Sequence, residues 1–219
     1  MAGGEPLYTR KVWDFIEIIP HPQNVTLQFQ TNFSLLEYKD TSIFEFTKAF
    51  KNVVYSISLD GLFETGEFQR TNFKTHIFLT NLKKLNEEVK SNPNISYDFT
   101  FTTTIINVFQ FFETYDYLID NRYINDYSNV RLQIVSWPKH LDAKNFGLEA
   151  EIEDYFNRTE IKGVEKNPYL LGDIKNYLLH IKQGIEGDRE EHLINLKNYL
   201  NWSSLYNNLP IPKHLNKFL

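Results

Sequence analysis

Residues 96–103, with the sequence SYDFTFTT, alternate strictly between aromatic and polar side chains. In an extended chain Tyr97, Phe99 and Phe101 lie on one face, and the residues between them lie on the other. This period of two predicts a β-strand with one apolar and one polar face. Parallel strands that helices cover on both sides are apolar throughout, so the alternation indicates a sheet with one face open to polar contacts.

Three other segments show strand patterns, and amphipathic segments separate them. The further strands are predicted over residues 24–30, 53–59 and 130–136. Helices are predicted over residues 9–19, 41–50, 75–89 and 107–120. Regular alternation of helix and strand predicts an α/β fold with a mostly parallel sheet and right-handed crossovers.

The polar face of the predicted sheet decides between a flat and a curved arrangement. It carries Thr26, Gln28, Gln30, Ser56, Ser58, Asp98, Thr100, Thr102, Arg131 and Gln133. Such groups are costly to bury in a dry core without partners. We therefore predict a partial (βα) barrel over residues 1–146, with helices outside and a wet concave face. Its chemistry would lie at the carboxyl ends of the strands. Asp98 is a candidate general base or substrate contact there, with a structural hydrogen-bonding role as the alternative.

The later part of the chain has a different pattern. Residues 147–158, 170–184 and 189–202 have helical periodicity, and Gly163, Pro168 and Gly187 lie between them. We predict a helical C-terminal extension over residues 147–219.

Composition limits the possible functions. The chain has 219 residues, of which 42% are hydrophobic and 16% aromatic, so it can bury a substantial core. Its net charge is −5, and the absence of a basic run argues against nucleic-acid binding. With neither a long apolar stretch nor a secretory signal, we expect a cytoplasmic protein with no membrane contact. No cysteine occurs, which excludes thiol catalysis and cysteine-held clusters within this chain.

Short polar motifs lie near the predicted strand ends. They are Gly3-Gly4-Glu5-Pro6, Thr31-Asn32 and Ser58-Leu59-Asp60-Gly61, followed by Arg70. Glycines let a backbone approach a ligand closely, and a carboxylate accepts hydrogen bonds from an ammonium group. Each motif also has a simpler interpretation. The first is a flexible turn, the Asp-Gly pair is an ordinary turn and Arg70 is a solvated charge.

Asn107 is a further polar candidate, because it directly follows the predicted strand over residues 96–103 and its neighbouring threonines. The more conservative interpretation is that Asn107 caps the helix that begins there.

Taken together, these motifs resemble the radical S-adenosylmethionine (radical SAM) enzymes. In that family a Gly-Gly-Glu-Pro loop holds the methionyl amino group, and Thr-Asn and Ser-x-Asp-Gly motifs follow later barrel strands. The resemblance extends from Gly3 to about Pro138. Beyond that, the tail is similar, more vaguely, to compact twitch-domain members such as some that phages encode.

The resemblance implies S-adenosylmethionine as cofactor. It assigns Gly3, Gly4 and Glu5 to the methionyl ammonium, with Pro6 ending that loop and Thr31 and Asn32 as companions. It places Ser58 and Asp60 near the ribose or the carboxylate, and a bidentate pair between Arg70 and the carboxylate is physically apt. The substrate would be a peptide, a nucleotide or a small molecule.

One departure from the family is large. Its members hold a 4Fe–4S cluster on a Cys-x-x-x-Cys-x-x-Cys loop after the first strand, and this chain has no cysteine. We expect that the first strands are missing here and that only the complete protein carries the cluster. The edge strand over residues 25–30 would then be exposed and favour association. The alternative is a natural degenerate form, a non-catalytic SAM- or nucleotide-binding or scaffold module.

We predict that the purified chain, after anaerobic incubation with iron and sulfide, stays colourless. The physical reason is that the cluster needs thiolate ligands, which the chain cannot supply. Iron analysis and the visible absorbance of iron–sulfur charge-transfer bands measure this. A stable brown protein with stoichiometric iron would contradict the prediction.

Overall fold

The computed structural model describes residues 5–38, 40–157, 161 and 163–219. The α-helices in these residues are α1 (Arg10–Glu17), α2 (Ile43–Thr47), α3 (Phe63–Gln69), α4 (Thr75–Ser91), α5 (Phe111–Asp120), α6 (Glu149–Phe156), α7 (Pro168–Ile181) and α8 (Arg189–Asn207). The strands are β1 (Thr26–Thr31), β2 (Glu37–Tyr38), β3 (Thr41–Ser42), β4 (Asn52–Ser58), β5 (Ile95–Thr103) and β6 (Val130–Ile134).

Four of the strands form one parallel sheet, in the order β1-β4-β5-β6. In the β1–β4 pair, Leu27 lies opposite Val53 and Thr31 lies opposite Ile57. β2 and β3 form a separate antiparallel pair. The predicted α/β class, the parallel sheet and all four predicted strands are confirmed, with ends that differ by two residues or fewer.

The helices differ from the prediction in three places. The helix predicted over residues 107–120 begins only at Phe111, after a 3₁₀-helix over Val108–Gln110. The helix predicted over residues 41–50 begins only at Ile43, because Thr41–Ser42 forms β3 and the Ser42 hydroxyl accepts a hydrogen bond from the Phe44 N–H at 3.3 Å. The sequence pattern does not predict α3 at all. Gly66 lies inside this helix, and a mid-helix glycine is unfavourable by about 1 kcal/mol relative to alanine.

The chain forms two compact units. The first comprises Met1–Ser58 and Phe73–Phe99, and the second comprises Leu59–Asn72 and Thr100–Leu219. The helices predicted for the C-terminal extension are present as α6, α7 and α8, and all three belong to the second unit. The division at residue 146 stays a prediction.

Aromatic packing dominates the core of the first unit. The Tyr55 ring is fully buried. Its centroid lies 5.6 Å from the ring centroid of Phe29, 5.5 Å from that of Phe33 and 5.9 Å from that of Phe44. Burial raises the pKa of the Tyr55 hydroxyl, so the ring stays neutral at every physiological pH. Stacked and edge-to-face rings of this kind add stabilisation beyond the area that they bury.

The second unit has its own aromatic core around Phe111, the first residue of α5. Its ring lies 5.2 Å from Phe101, 5.0 Å from Phe112, 5.3 Å from Tyr115 and 5.8 Å from Phe156. These contacts pack β5, α5 and α6 against one another.

The predicted two-faced character of the strands is seen in β1 and β4. In β1, Thr26, Gln28 and Gln30 are exposed whereas Leu27, Phe29 and Thr31 are buried. In β4 the residues on the polar face are half-buried and those on the apolar face are buried.

Thr100 on β5 differs from the expectation of an open polar face, because only 9% of it is exposed. β5 lies between two neighbouring strands, whereas β1 and β6 lie at the edges of the sheet.

We predict that Phe29→Ala lowers the free energy of unfolding by about 3–5 kcal/mol, because it leaves a cavity where the buried phenyl ring was. Gln28→Ala, the neighbour on the exposed face, is the matched control and changes it by about 1 kcal/mol or less. Urea unfolding followed by circular dichroism measures both. Similar losses in the two variants would contradict the assignment of the faces.

Candidate functional site

A carboxylate cluster lies at the carboxyl end of β1, within the first unit. The Glu5 Oε1 atom accepts a hydrogen bond from the Thr31 hydroxyl at 2.6 Å, and Oε2 accepts one from the Asn32 N–H at 2.6 Å. Oε1 also accepts the Leu7 N–H at 3.3 Å. The last bond caps the short 3₁₀-helix Pro6–Tyr8, which begins at the buried Pro6. Helix capping alone does not explain the two shorter bonds to residues 26 and 27 positions away.

The loop after β1 is held in an unusual conformation. Phe33 has a φ of 59°, in the left-handed region that non-glycine residues rarely adopt. Its carbonyl accepts a hydrogen bond from the Asn81 side chain at 2.9 Å, and its N–H donates to the Thr31 hydroxyl at 2.9 Å. The Asn32 side chain accepts hydrogen bonds from the Ser34 N–H and hydroxyl. These bonds fix the loop that presents Thr31 and Asn32 to Glu5.

Asn81 is a site-supporting residue that the sequence analysis missed. It is 7% exposed and lies on α4 among buried leucines. The available signal was an amide at a position where the helical period calls for an apolar side chain.

The charge of the Glu5 carboxylate is the chemically distinctive feature of this cluster. In the described part of the chain its three hydrogen-bond donors are all uncharged. A carboxylate offers about four acceptor positions, so the donors among the described residues leave one position on Oε2 for a further donor. A cationic N–H donor suits that position, because charge-assisted hydrogen bonds are roughly twice as strong as neutral ones.

A second cluster lies within the second unit, where Asp60 follows β4. Its Oδ2 atom accepts hydrogen bonds from Arg70 Nε at 2.9 Å and Arg70 Nη2 at 2.6 Å, and its Oδ1 atom accepts the Thr102 N–H at 3.1 Å. The two charged side chains are 14% and 27% exposed, respectively. Arg70 directly follows α3, so that helix determines where the guanidinium lies.

Asn107 holds the loops of this second cluster together. Its side-chain NH₂ donates to the carbonyls of Asp60 and Thr102, both at 3.0 Å. Its side-chain oxygen accepts from the Thr104 N–H at 2.7 Å and from the Thr104 hydroxyl at 3.1 Å. The residue is fully buried, and all four of its hydrogen-bonding positions are occupied.

The helix-cap interpretation of Asn107 is therefore wrong. The side chain makes no capping bond to the short 3₁₀-helix Val108–Gln110 that follows it, and α5 begins only at Phe111. The side chain instead pairs with backbone groups of Asp60, Thr102 and Thr104.

A row of polar side chains crosses the less covered face of the sheet in the first unit. The Gln28 amide donates to the Ser56 hydroxyl at 3.1 Å, and that hydroxyl donates to Asp98 Oδ2 at 3.2 Å. The three residues lie on β1, β4 and β5. Asp98 is half-buried, so its carboxylate lies at the surface of this face rather than in a dry core.

The sequence also predicts Ser58, Gly3 and Gly4 as site residues. Ser58 is the half-buried last residue of β4. Gly3 and Gly4 lie outside the described residues. The structure thus brings together Glu5, Thr31 and Asn32 in one unit and Asp60 and Arg70 in the other.

The described residues offer no ready site for a metal ion or for an iron–sulfur cluster. No set of three or more His, Cys, Asp or Glu side chains there is arranged to hold a metal ion. Since the sequence also lacks cysteine, the residues present do not fit a cysteine-held 4Fe–4S cluster. Among the described helices, none has both the length and the apolar composition needed to cross a bilayer.

Comparison with protein-family models, with curated proteins and with solved structures finds no match for this chain. Its function must therefore be inferred from its own residues.

We predict that Asn107→Leu lowers the free energy of unfolding by about 1–3 kcal/mol, because two carbonyls and one N–H lose the side chain that pairs with them. Asn201→Leu, at an exposed position of α8, is the control and changes the free energy of unfolding by about 0.5 kcal/mol. Thermal unfolding measures both. Equal melting temperatures for the two variants would contradict the bracing role.

Proposed function

We propose that this chain is the S-adenosylmethionine-binding portion of a radical SAM enzyme, built on a partial (βα) barrel. The observation that carries the proposal is the contact of Glu5 with both Thr31 and Asn32 at 2.6 Å. The sequence resemblance names these same three residues from two separate motifs. A chance turn at residues 3–6 would not predict their association.

Glu5 is proposed to bind the methionyl ammonium. Its carboxylate is held in one orientation by uncharged donors, so it can form a charge-assisted hydrogen bond without first being released from a cation. Thr31 and Asn32 would act through Glu5, since both already spend a donor on it. Pro6 stiffens the chain directly after the carboxylate.

Ser58, Asp60 and Arg70 keep the roles that the resemblance implies, near the ribose or the carboxylate of the ligand. Arg70 already donates Nε–H and Nη2–H to Asp60. A ligand carboxylate would therefore meet the remaining nitrogen, Nη1, or would displace Asp60. In the simplest arrangement Arg70 contacts both groups: Asp60 orients the guanidinium, and Nη1 donates to the ligand carboxylate.

The partial barrel is supported by the asymmetry of the strands. β1 and β4 have one buried face and one less buried polar face, on which Gln28, Ser56 and Asp98 are hydrogen-bonded in a row. In a barrel such a face lines a wet interior that can hold a substrate. The substrate is proposed to be a peptide, a nucleotide or a small molecule, and the compartment to be the cytoplasm.

A second candidate is a non-catalytic SAM-binding or scaffold module, and the absence of cysteine favours it. The encoding DNA ahead of Met1 separates the two candidates. An in-frame Cys-x-x-x-Cys-x-x-Cys segment there supports the enzyme, whereas a stop codon with a ribosome-binding site supports the module.

We predict that S-adenosylmethionine binds this chain with at most about millimolar affinity, which corresponds to roughly −4 kcal/mol. The cluster iron that would chelate the methionyl group is not supplied by these residues, and a hydrogen bond to a charged group contributes only about 1.5–3 kcal/mol. Glu5→Gln removes that charge and should weaken binding about tenfold or more. Ligand-observed NMR titration measures both.

Glu17→Gln, on the exposed end of α1, is the matched control and should leave the affinity within about twofold. Unchanged binding in Glu5→Gln would remove the residue on which the proposal depends. Binding that is lost equally in both variants would point to non-specific charge attraction.

A further inference from the structure

The last residues of α8 hold the end of α3. The Ser203 hydroxyl and the Asn207 side-chain NH₂ both donate hydrogen bonds to the Phe68 carbonyl, at 3.2 and 3.0 Å. The Asn207 NH₂ also donates to the Ser203 hydroxyl at 3.2 Å. Ser203 is 2% exposed, so water does not compete for the Phe68 carbonyl on that side.

Asn207 also contacts the chain on the other side of Arg70. Its side-chain oxygen accepts a hydrogen bond from the Thr71 hydroxyl at 3.0 Å. The Asn207 amide group is therefore hydrogen-bonded to Phe68, two residues before Arg70, and to Thr71, one residue after it. The backbone that carries the guanidinium is fixed from both directions.

α3 needs such support because of its own sequence. It has seven residues and an internal Gly66, and isolated helices of that length are unstable in water. The last carbonyls of a helix have no partner within the helix, and no basic residue lies in its last turn. Ser203 and Asn207 supply the missing donors for one of these carbonyls.

A second set of hydrogen bonds connects the C-terminal residues to Asp60, the partner of Arg70. His214 Nε2 lies 2.8 Å from the Ile106 carbonyl oxygen, and since a carbonyl only accepts, Nε2 carries the proton. The next residue, Asn107, donates to the Asp60 carbonyl at 3.0 Å. The C-terminal residues thus support both sides of the Asp60–Arg70 pair.

We infer that Asn207 is a positioning residue for Arg70, and that α8 and the chain after it determine the geometry of the Asp60–Arg70 pair. As far as this concerns binding of S-adenosylmethionine, the inference rests on the proposed function. The helical C-terminal part is then a component of the site rather than an appendage, because the ion pair is presented by a helix that cannot hold its own end.

The test uses the full chain and compares Asn207→Leu with Thr71→Val, which removes only the hydroxyl that Asn207 accepts. Asn201→Leu, at an exposed position of the same helix, is the matched control. The first measurement is solvent exchange of the Arg70 Nε–H signal by ¹⁵N NMR. The second is a titration with S-adenosylmethionine, and thermal unfolding reports overall stability.

We expect exchange of the Arg70 Nε–H to rise about tenfold in Asn207→Leu, which loses three hydrogen bonds, and about threefold in Thr71→Val, which loses one. Asn201→Leu should stay within about twofold. Affinity for S-adenosylmethionine should fall in the same order. A purely structural role would lower the melting temperature without this ranking of the Arg70 signal.

Unchanged Arg70 exchange in both Asn207→Leu and Thr71→Val would overturn the inference. If the wild-type chain binds no S-adenosylmethionine, the proposed function fails, while the Arg70 signal still decides whether Asn207 positions the guanidinium. If S-adenosylmethionine binds equally to all variants although the Arg70 signal changes, Arg70 is positioned by Asn207 but does not contact that ligand.

Discussion

Hydrogen-bond partners for buried polar groups shape both candidate clusters of this protein. Asn107 is the clearest case, since one fully buried amide serves two carbonyls, one N–H and one hydroxyl from two loops. An unpaired buried group would cost about as much as a typical destabilising mutation. The loops around Asp60 therefore have little freedom to rearrange. Asn107 holds the Asp60 backbone carbonyl, while the Thr102 N–H and Arg70 orient the Asp60 carboxylate.

The same principle acts on Glu5 in the other unit, with a different result. Its carboxylate is oriented by two short hydrogen bonds, and the donors in the described residues are neutral. A negative charge held in place by uncharged groups keeps its attraction for a cation. Asp60, by contrast, is largely neutralised by Arg70. The two carboxylates thus differ in their surroundings: the described donors to Glu5 are neutral, whereas Asp60 is paired with the Arg70 guanidinium.

Several features of the fold follow from local chemistry and can be predicted from the chain alone. Strict alternation in residues 96–103 and 24–30 specifies strands with two unlike faces, because a period of two permits no other regular structure. The apolar periods of α1 and α4 make both helices easy to locate. The motif residues Glu5, Thr31 and Asn32 could also be named in advance, because their motifs resemble those of the radical SAM enzymes.

What the sequence by itself determined is the four strands of the parallel sheet, most helices and the candidate residues, because these depend on neighbours within a few positions. It did not predict the short strands β2 and β3. Only the tertiary structure decided that α3 exists, that Asn107 turns backwards, that Asn81 holds Phe33 and that Asn207 grips the chain around Arg70. These contacts join residues as many as 139 positions apart. An asparagine has the same local preferences in each of these places. Which buried carbonyl it reaches is set by the packing of the whole unit.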